Sequence, residues 1–241
     1  MNTPTHLYFI RHGEAQSVHS HIIGGPQGDT GLTPLGREQA TRLRARLQAT
    51  GEIAADVLLA STLPRARETA EILAPVWGVP IEYDATLQEI NVGEADGMSE
   101  RDYFIKYGRP DFERDPFRVV APGGENWGSF NLRIATALDR IIRAQVGKTV
   151  VLVCHGGVIE AAFPYFLQMQ TLAMLPVLLP THNTSITHWH LDARAMGSPA
   201  GGWLATTTTS IYTTPCAGPR PPVPRAPSRR QCRGWAGSDY L

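Results

Sequence analysis

The sequence predicts an α/β domain, a three-layer α/β/α sandwich in which helices cover both faces of a mostly parallel sheet. Three observations carry that prediction. Short apolar runs such as Tyr8-Phe9-Ile10, Val57-Leu58-Leu59-Ala60 and Val150-Val151-Leu152-Val153 read as strands buried on both faces. Amphipathic helical stretches separate them. The first and last of these runs end in a histidine beside glycine, at the strand ends where such folds keep their chemistry.

The first stretch, His6-Leu7-Tyr8-Phe9-Ile10-Arg11-His12-Gly13-Glu14, delivers an arginine and a histidine to a glycine. Arg11 offers a planar guanidinium that can grip two phosphate oxygens, and His12 a nitrogen that can be neutral and nucleophilic near pH 7. The pair points to phosphate chemistry; taken alone, it also fits a surface loop with a stray histidine. Leu32-Thr33-Pro34-Leu35-Gly36-Arg37 then opens a helix capped by Thr33, with Pro34 in its first turn, Ala40, Leu43 and Leu47 on its apolar face and Gly51 at its end. Asp56 to Ser61 is a short buried strand, and Pro64 to Leu73 returns as a helix with Arg65 in its first turn. The helix dipole does not favour a cation there. An arginine that joins the free amides in holding an anion is the functional reading, and a solvated surface arginine is the ordinary one.

Pro80 to Tyr83 is a brief strand, and Glu89 follows in the loop Leu87-Gln88-Glu89-Ile90-Asn91-Val92-Gly93, between apolar neighbours. Burial there would raise its pKa and let it serve as a proton donor; an ordinary turn would leave it a surface carboxylate. From Met98 to Pro122 aromatics mix with charge, and the segment reads as a helical cap over the site, an insertion of the kind in which substrate choice tends to reside. Its aromatics read more readily as packing than as recognition. Pro122 to Asn126 turns into a long helix reaching about Gln145, with Ile134, Leu138, Ile141 and Ile142 on the inner side. Thr149 to Cys154 is the clearest strand, and it ends in His155-Gly156-Gly157 before the helical segment Val158 to Leu167, so that amide groups near Gly156 point at an anion. Asn183 to Leu191 alternates like a final strand. His188 and His190 share one face, a spacing also used for metals, but no acidic or cysteine partner at a matching interval supports a metal site.

Composition narrows the partners. Lys+Arg and Asp+Glu number 22 each, so no global field argues for nucleic acid or an anionic membrane surface, and any anion site is local. Cys154, Cys216 and Cys232 form no paired framework or zinc-type spacing, which fits a reducing cytoplasm. The chain enters its first strand without a signal-like segment and has no apolar run of spanning length; the expectation is a soluble, cytoplasmic protein. No coiled-coil repeat or other assembly signal fixes an oligomeric state.

Assembled, these pieces resemble the histidine phosphatase superfamily, the phosphoglycerate mutase-like family. The resemblance runs from Leu7 to about Leu191 and rests on segments in family order: Arg11-His12-Gly13-Glu14, Leu32-Thr33 with Gly36 and Gln39-Ala40, Ser61 with Arg65-Ala66 and Thr69-Ala70, Glu89-Ile90 with Gly93, Gly123-Gly124-Glu125, and His155-Gly156-Gly157. It implies the phosphoglycerate mutase-like fold and a phosphoryl transfer without metal or other cofactor, through a phosphohistidine. On that resemblance His12 is the nucleophile, Arg11, Arg65 and His155 surround the phosphoryl oxygens with the amides near Gly156, and Glu89 protonates the leaving alcohol and then helps activate water. Many members carry an asparagine where this chain has Val18, with Gln16 and Ser17 as the nearby substitutes.

Three activities fit the pattern. A phosphomonoesterase lets water reach the phosphohistidine and acts on a small phosphorylated metabolite. A mutase excludes water and returns the phosphoryl group to a bound intermediate. A catalytically silent binding module would be expected to lose at least one core residue, and none is lost. The modest spacing from Glu89 to His155 and the missing mutase-like extension of the first motif favour the phosphatase.

Residues 1–196 are thus expected to form the catalytic domain, with 98–122 as cap, and 197–241 a tail. Beyond Gly197 the composition shifts to threonine, proline and arginine, which reads as a disordered extension. The competing reading is a frameshift near Leu204. Shifted by one base, suitable codons turn Thr206 to Tyr212 into Asp-Tyr-Asn-Asp-Val-His-Leu, similar to the Tyr-Asn-Asp-x-x-His-Leu segment in which many relatives end.

Overall fold

The computed structural model describes residues 3–177, 179 and 181–191, together with the backbone of 205–206. Six strands form one sheet in the order β3-β2-β4-β1-β5-β6. The four central and left-hand strands, β1 (Thr5–Arg11), β2 (Val57–Ala60), β3 (Ile81–Tyr83) and β4 (Thr149–Cys154), run parallel. β5 (Ile186–Leu191) pairs antiparallel with β1, and β6 (Ala205–Thr206) antiparallel with β5. The sheet is therefore mostly parallel, as expected.

The longer helices form where the sequence signals place them, whereas the short α1 (Gln16–His19), a single turn, carries no such signal. In α2 (Pro34–Thr50) the Thr33 hydroxyl accepts the Gly36 N–H, satisfying one of the free amides of the first turn, and Gly51 closes the helix in the left-handed conformation. α3 (Pro64–Leu73) starts on a proline, whose missing N–H costs nothing in a first turn. α5 (Trp127–Ala144) opens with a reciprocal Asn126/Ser129 capping pair and buries Ile134, Leu138, Ile141 and Ile142. α6 (Gly156–Phe166) starts two residues earlier than the apolar pattern suggested, directly at the glycines.

Two apolar layers follow from the alternation of side chains along the strands. Leu7 and Phe9 face a core shared with α5 and α6, and Ile10, Val151 and Val153 face one shared with α2 and α3. The expected cap proves helical only over α4 (Glu100–Tyr107) and continues in turns. Tyr103 and Phe112 are buried in the main core, and the Tyr103 hydroxyl donates to the Val120 carbonyl at 2.9 Å, so these aromatics serve packing. The segment leans on the loop after α1: Ile23 N–H donates to Met98 O, and Glu100 N–H to His21 O. Among the described residues no helix is long and apolar enough to cross a membrane. Of the tail, Ala205 and Thr206 form β6; the remainder, and with it the choice between disorder and frameshift, lies outside the described residues.

Candidate active site

Parallel register sets the site. β1 and β4 pair so that Arg11 stands opposite Cys154, and β4 pairs with β2 so that Val153 stands opposite Ala60. The next residue on each strand, His12, His155 and Ser61, therefore emerges at the same sheet edge. Backbone bonds hold all three ends together: His12 N–H donates to Cys154 O and Ser61 N–H to Val153 O. The loop before β5 clasps the first end from the other side, with Thr184 N–H on Arg11 O and Asn183 Nδ2 on His12 O.

His12 is buried, and its Nδ1 lies 2.7 Å from the Gly13 carbonyl. A carbonyl only accepts, so Nδ1 carries the proton and Nε2 presents its lone pair. That lone pair faces Arg65, whose Nε lies 3.1 Å from His12 Nε2 and 3.2 Å from His155 Nδ1. The rings of the two histidines are 5.2 Å apart. Burial, and then the nearby guanidinium groups of Arg65 and Arg11, hold His12 well below the usual histidine range. His155 is lowered likewise, by burial first and then by Arg65, His12 and Arg11. Both imidazoles are thus neutral near pH 7, which leaves His12 Nε2 able to attack.

Arg65 is held by a residue that the sequence pattern did not single out. The buried Asp29 carboxylate accepts from the Arg65 backbone amide at 3.3 Å and from its Nη1 at 2.9 Å, and Nη1 also donates to Gly24 O. A cation at the start of α3, disfavoured by the helix dipole, is compensated by this carboxylate. The solvated reading of Arg65 is overturned: the side chain is only 6% exposed. Arg11 is also buried, and its Nη1 donates to Thr181 O.

Glu89 departs from expectation. It is partly exposed rather than buried, and its carboxylate accepts the backbone N–H groups of Ile90 and Gly157, each at 3.0 Å. Arg133 fixes the loop behind it by donating to the carbonyls of Thr86, Gln88 and Glu89. One of the amides expected to face an anion, that of Gly157, is therefore committed to Glu89, while Gly156 opens α6 beside His155. A Cβ on Gly157 would sit 2.3 Å from Glu89 Oε1, which explains the second glycine of the motif. Gly13 and Gly36 have a similar reason. A Cβ on Gly13 would meet Gly36 O at 2.4 Å, and one on Gly36 would meet Glu14 O at 2.1 Å, so the backbones of the first loop and α2 touch.

Of the two substitutes for the missing asparagine, Ser17 is buried, and its hydroxyl packs against Gly24, beside Arg65, while Val18 is partly exposed. His188 and His190 lie on the sheet face away from this site, with His6. Among the described residues no group of three His, Cys, Asp or Glu could hold a metal ion.

Known proteins resemble this chain in sequence and fold. The chain is similar to a Salmonella paratyphi C protein named "Probable phosphoglycerate mutase GpmB", 28% identical over 210 residues that cover 85% of this chain and 93% of the relative. Among solved structures, Bacillus stearothermophilus YhfR superposes with a TM-score of 0.69 at 30% identity, over 86% of this chain and 98% of that one. A mycobacterial glucosyl-3-phosphoglycerate phosphatase, in a structure with VO3, shares the fold at a TM-score of 0.68 and 24% identity, over 84% and 97% of the two chains. The family model of the histidine phosphatase superfamily, branch 1, matches residues 7–197, a span that holds His12, Arg65, Glu89 and His155, and the chain belongs to that superfamily.

Proposed function

We propose that the protein is a metal-independent phosphomonoesterase that hydrolyses small phosphorylated metabolites through a phosphohistidine on His12. The observation that carries this reading is the locked His12 ring: Nδ1 is committed to the Gly13 carbonyl, and Nε2 is left as a lone pair beside Arg65 and His155. In-line attack by Nε2 on phosphorus splits one displacement into two. Arg11, Arg65 and His155 meet the charge on the phosphoryl oxygens with donors already in place, with the amides near Gly156 adding to them. Glu89, partly exposed and held by the Gly157 amide beside His155, protonates the leaving oxygen and then takes a proton from the attacking water.

The names of the neighbours support hydrolysis, since the mycobacterial protein is a phosphatase and bears VO3, an oxyanion similar to phosphate. The name of the Salmonella relative favours a second reading, transfer between positions of phosphoglycerate. One assay separates them. Purified protein with EDTA is offered p-nitrophenyl phosphate, and separately 3-phosphoglycerate with 2,3-bisphosphoglycerate. Release of phosphate that survives EDTA and is lost in His12→Ala supports the phosphatase; isomerisation without phosphate release supports the mutase; silence in both removes either activity.

A further inference from the structure

Ser61 ends β2 and is fully buried. Its hydroxyl has two partners among the described residues: the Leu63 backbone amide at 3.3 Å and His155 Nε2 at 2.7 Å. The Leu63 N–H can only donate, so it fills an acceptor site on the Ser61 oxygen. The hydroxyl hydrogen then has one place to go, His155 Nε2, because a buried O–H left without an acceptor is costly.

We propose that Ser61 is a positioning residue that fixes the tautomer of His155, so that this neutral ring carries its proton on Nδ1 and presents an N–H to the phosphoryl group. Nδ1 faces Arg65 Nε across 3.2 Å. In the free protein the single Arg65 Nε–H lies within reach of both His12 Nε2 and His155 Nδ1; with Nδ1 protonated it has His12 Nε2 as its acceptor, at 3.1 Å. A bound phosphoryl oxygen takes over that hydrogen, which frees Nε2 to attack while the oxygen also accepts from His155 Nδ1. The opposite tautomer would aim a lone pair at that oxygen and repel it. The two histidines are then fixed by different means to complementary ends. The Gly13 carbonyl puts the His12 proton on Nδ1 and frees Nε2 to attack, whereas the Ser61 hydroxyl fills His155 Nε2 and leaves Nδ1 as a donor.

The anion half of this proposal rests on the phosphoryl-transfer reading; the tautomer half is read in the free protein. Long-range ¹H–¹⁵N correlation spectra of the full chain at neutral pH distinguish protonated from unprotonated ring nitrogens. The expected result is an Nδ1–H pattern for His155 in wild type, loss of that pattern in Ser61→Ala, and its return in Ser61→Thr. Inorganic phosphate should shift His155 Nδ1 in wild type and bind at least about tenfold more weakly to Ser61→Ala, the scale of a hydrogen bond to a charged group. An Nε2–H pattern in wild type, or an Nδ1–H pattern unchanged in Ser61→Ala, overturns the role of Ser61 while leaving the activity test above untouched. The expected pattern with no response to phosphate overturns the claim that this N–H serves an anion.

Discussion

Two groups of histidines lie on this sheet, and they differ in what surrounds them. At the strand ends, His12 and His155 sit with Arg11 and Arg65, and each ring has a fixed partner that sets its proton. On the sheet face, His6, His188 and His190 stack with Tyr8: His188 lies 4.0 Å from Tyr8, His190 lies 4.8 Å from His6, and His6 Nδ1 approaches His188 Nε2 at 2.9 Å. Burial lowers protonation in both places, and His188 falls to about 4 through burial, then His6 and His190. A depressed pKa therefore does not by itself mark a site here. What separates the groups is the presence of guanidinium donors and of a nitrogen aimed at open chemistry.

The contrast can be broken by mutation. His12→Ala should lower kcat/KM by at least about a thousandfold, the usual scale for a lost nucleophile. His188→Ala should leave it within about threefold, since a change away from the site has no route to the chemistry; the same p-nitrophenyl phosphate assay reads both. Comparable losses in the two variants would end the distinction.

Asp29→Ala comes next. It leaves the Arg65 guanidinium buried without its carboxylate and should cost about 3–5 kcal/mol in urea unfolding, as for other broken buried pairs. Glu38→Ala removes the exposed i,i+4 partner of Arg42 and should cost about 1 kcal/mol or less.

Gly157→Ala tests Glu89. The new methyl displaces the end of a flexible side chain rather than backbone, so the fold should hold. Turnover of alkyl phosphates, which need a proton on the leaving oxygen, should fall about tenfold or more, while p-nitrophenyl phosphate, with a good leaving group, falls less. Equal losses for both substrates would remove the acid role from Glu89.

The smallest effect concerns pH. His188 and His6 have folded-state pKa values below their unfolded ones, so the unfolded chain binds more protons once pH drops under about 6.5. Their contribution is complete above that pH and is lost as pH falls toward 4. His12 and His155 act in the same direction, so wild type should lose thermal stability across this window and His188→Gln should lose less of it. Identical Tm profiles for the two proteins would contradict the assignment.

Much of this was legible in the chain, for reasons that are local. The ends of α2 and α3 follow from Thr33, Pro34, Gly51 and Pro64, and the strands from their apolar runs. Arg11, His12, Arg65 and His155 stand in motifs whose residue types suit phosphate, and the register of β1, β4 and β2 brings them together. The contacts that stayed hidden span long separations. Asp29 reaches Arg65 from 36 positions away, and the Thr69 hydroxyl accepts the Gly13 N–H from 56 away, through contacts that only the topology creates. Glu89 is partly exposed despite its apolar neighbours, because neighbours in sequence say little about a loop whose backbone is pinned by Arg133. The link between His6 and the His188/His190 pair needed the antiparallel register of β1 and β5.

A phosphohistidine on His12 Nε2, the bond on which the proposed hydrolysis depends, can be trapped. Wild-type protein is mixed with p-nitrophenyl phosphate in EDTA, quenched in alkali within the first turnover and digested for mass spectrometry. The expected result is an acid-labile phosphoryl adduct on the peptide containing His12, absent from His12→Ala. Full turnover with no adduct at any quench time, or an adduct that persists in His12→Ala, would contradict it.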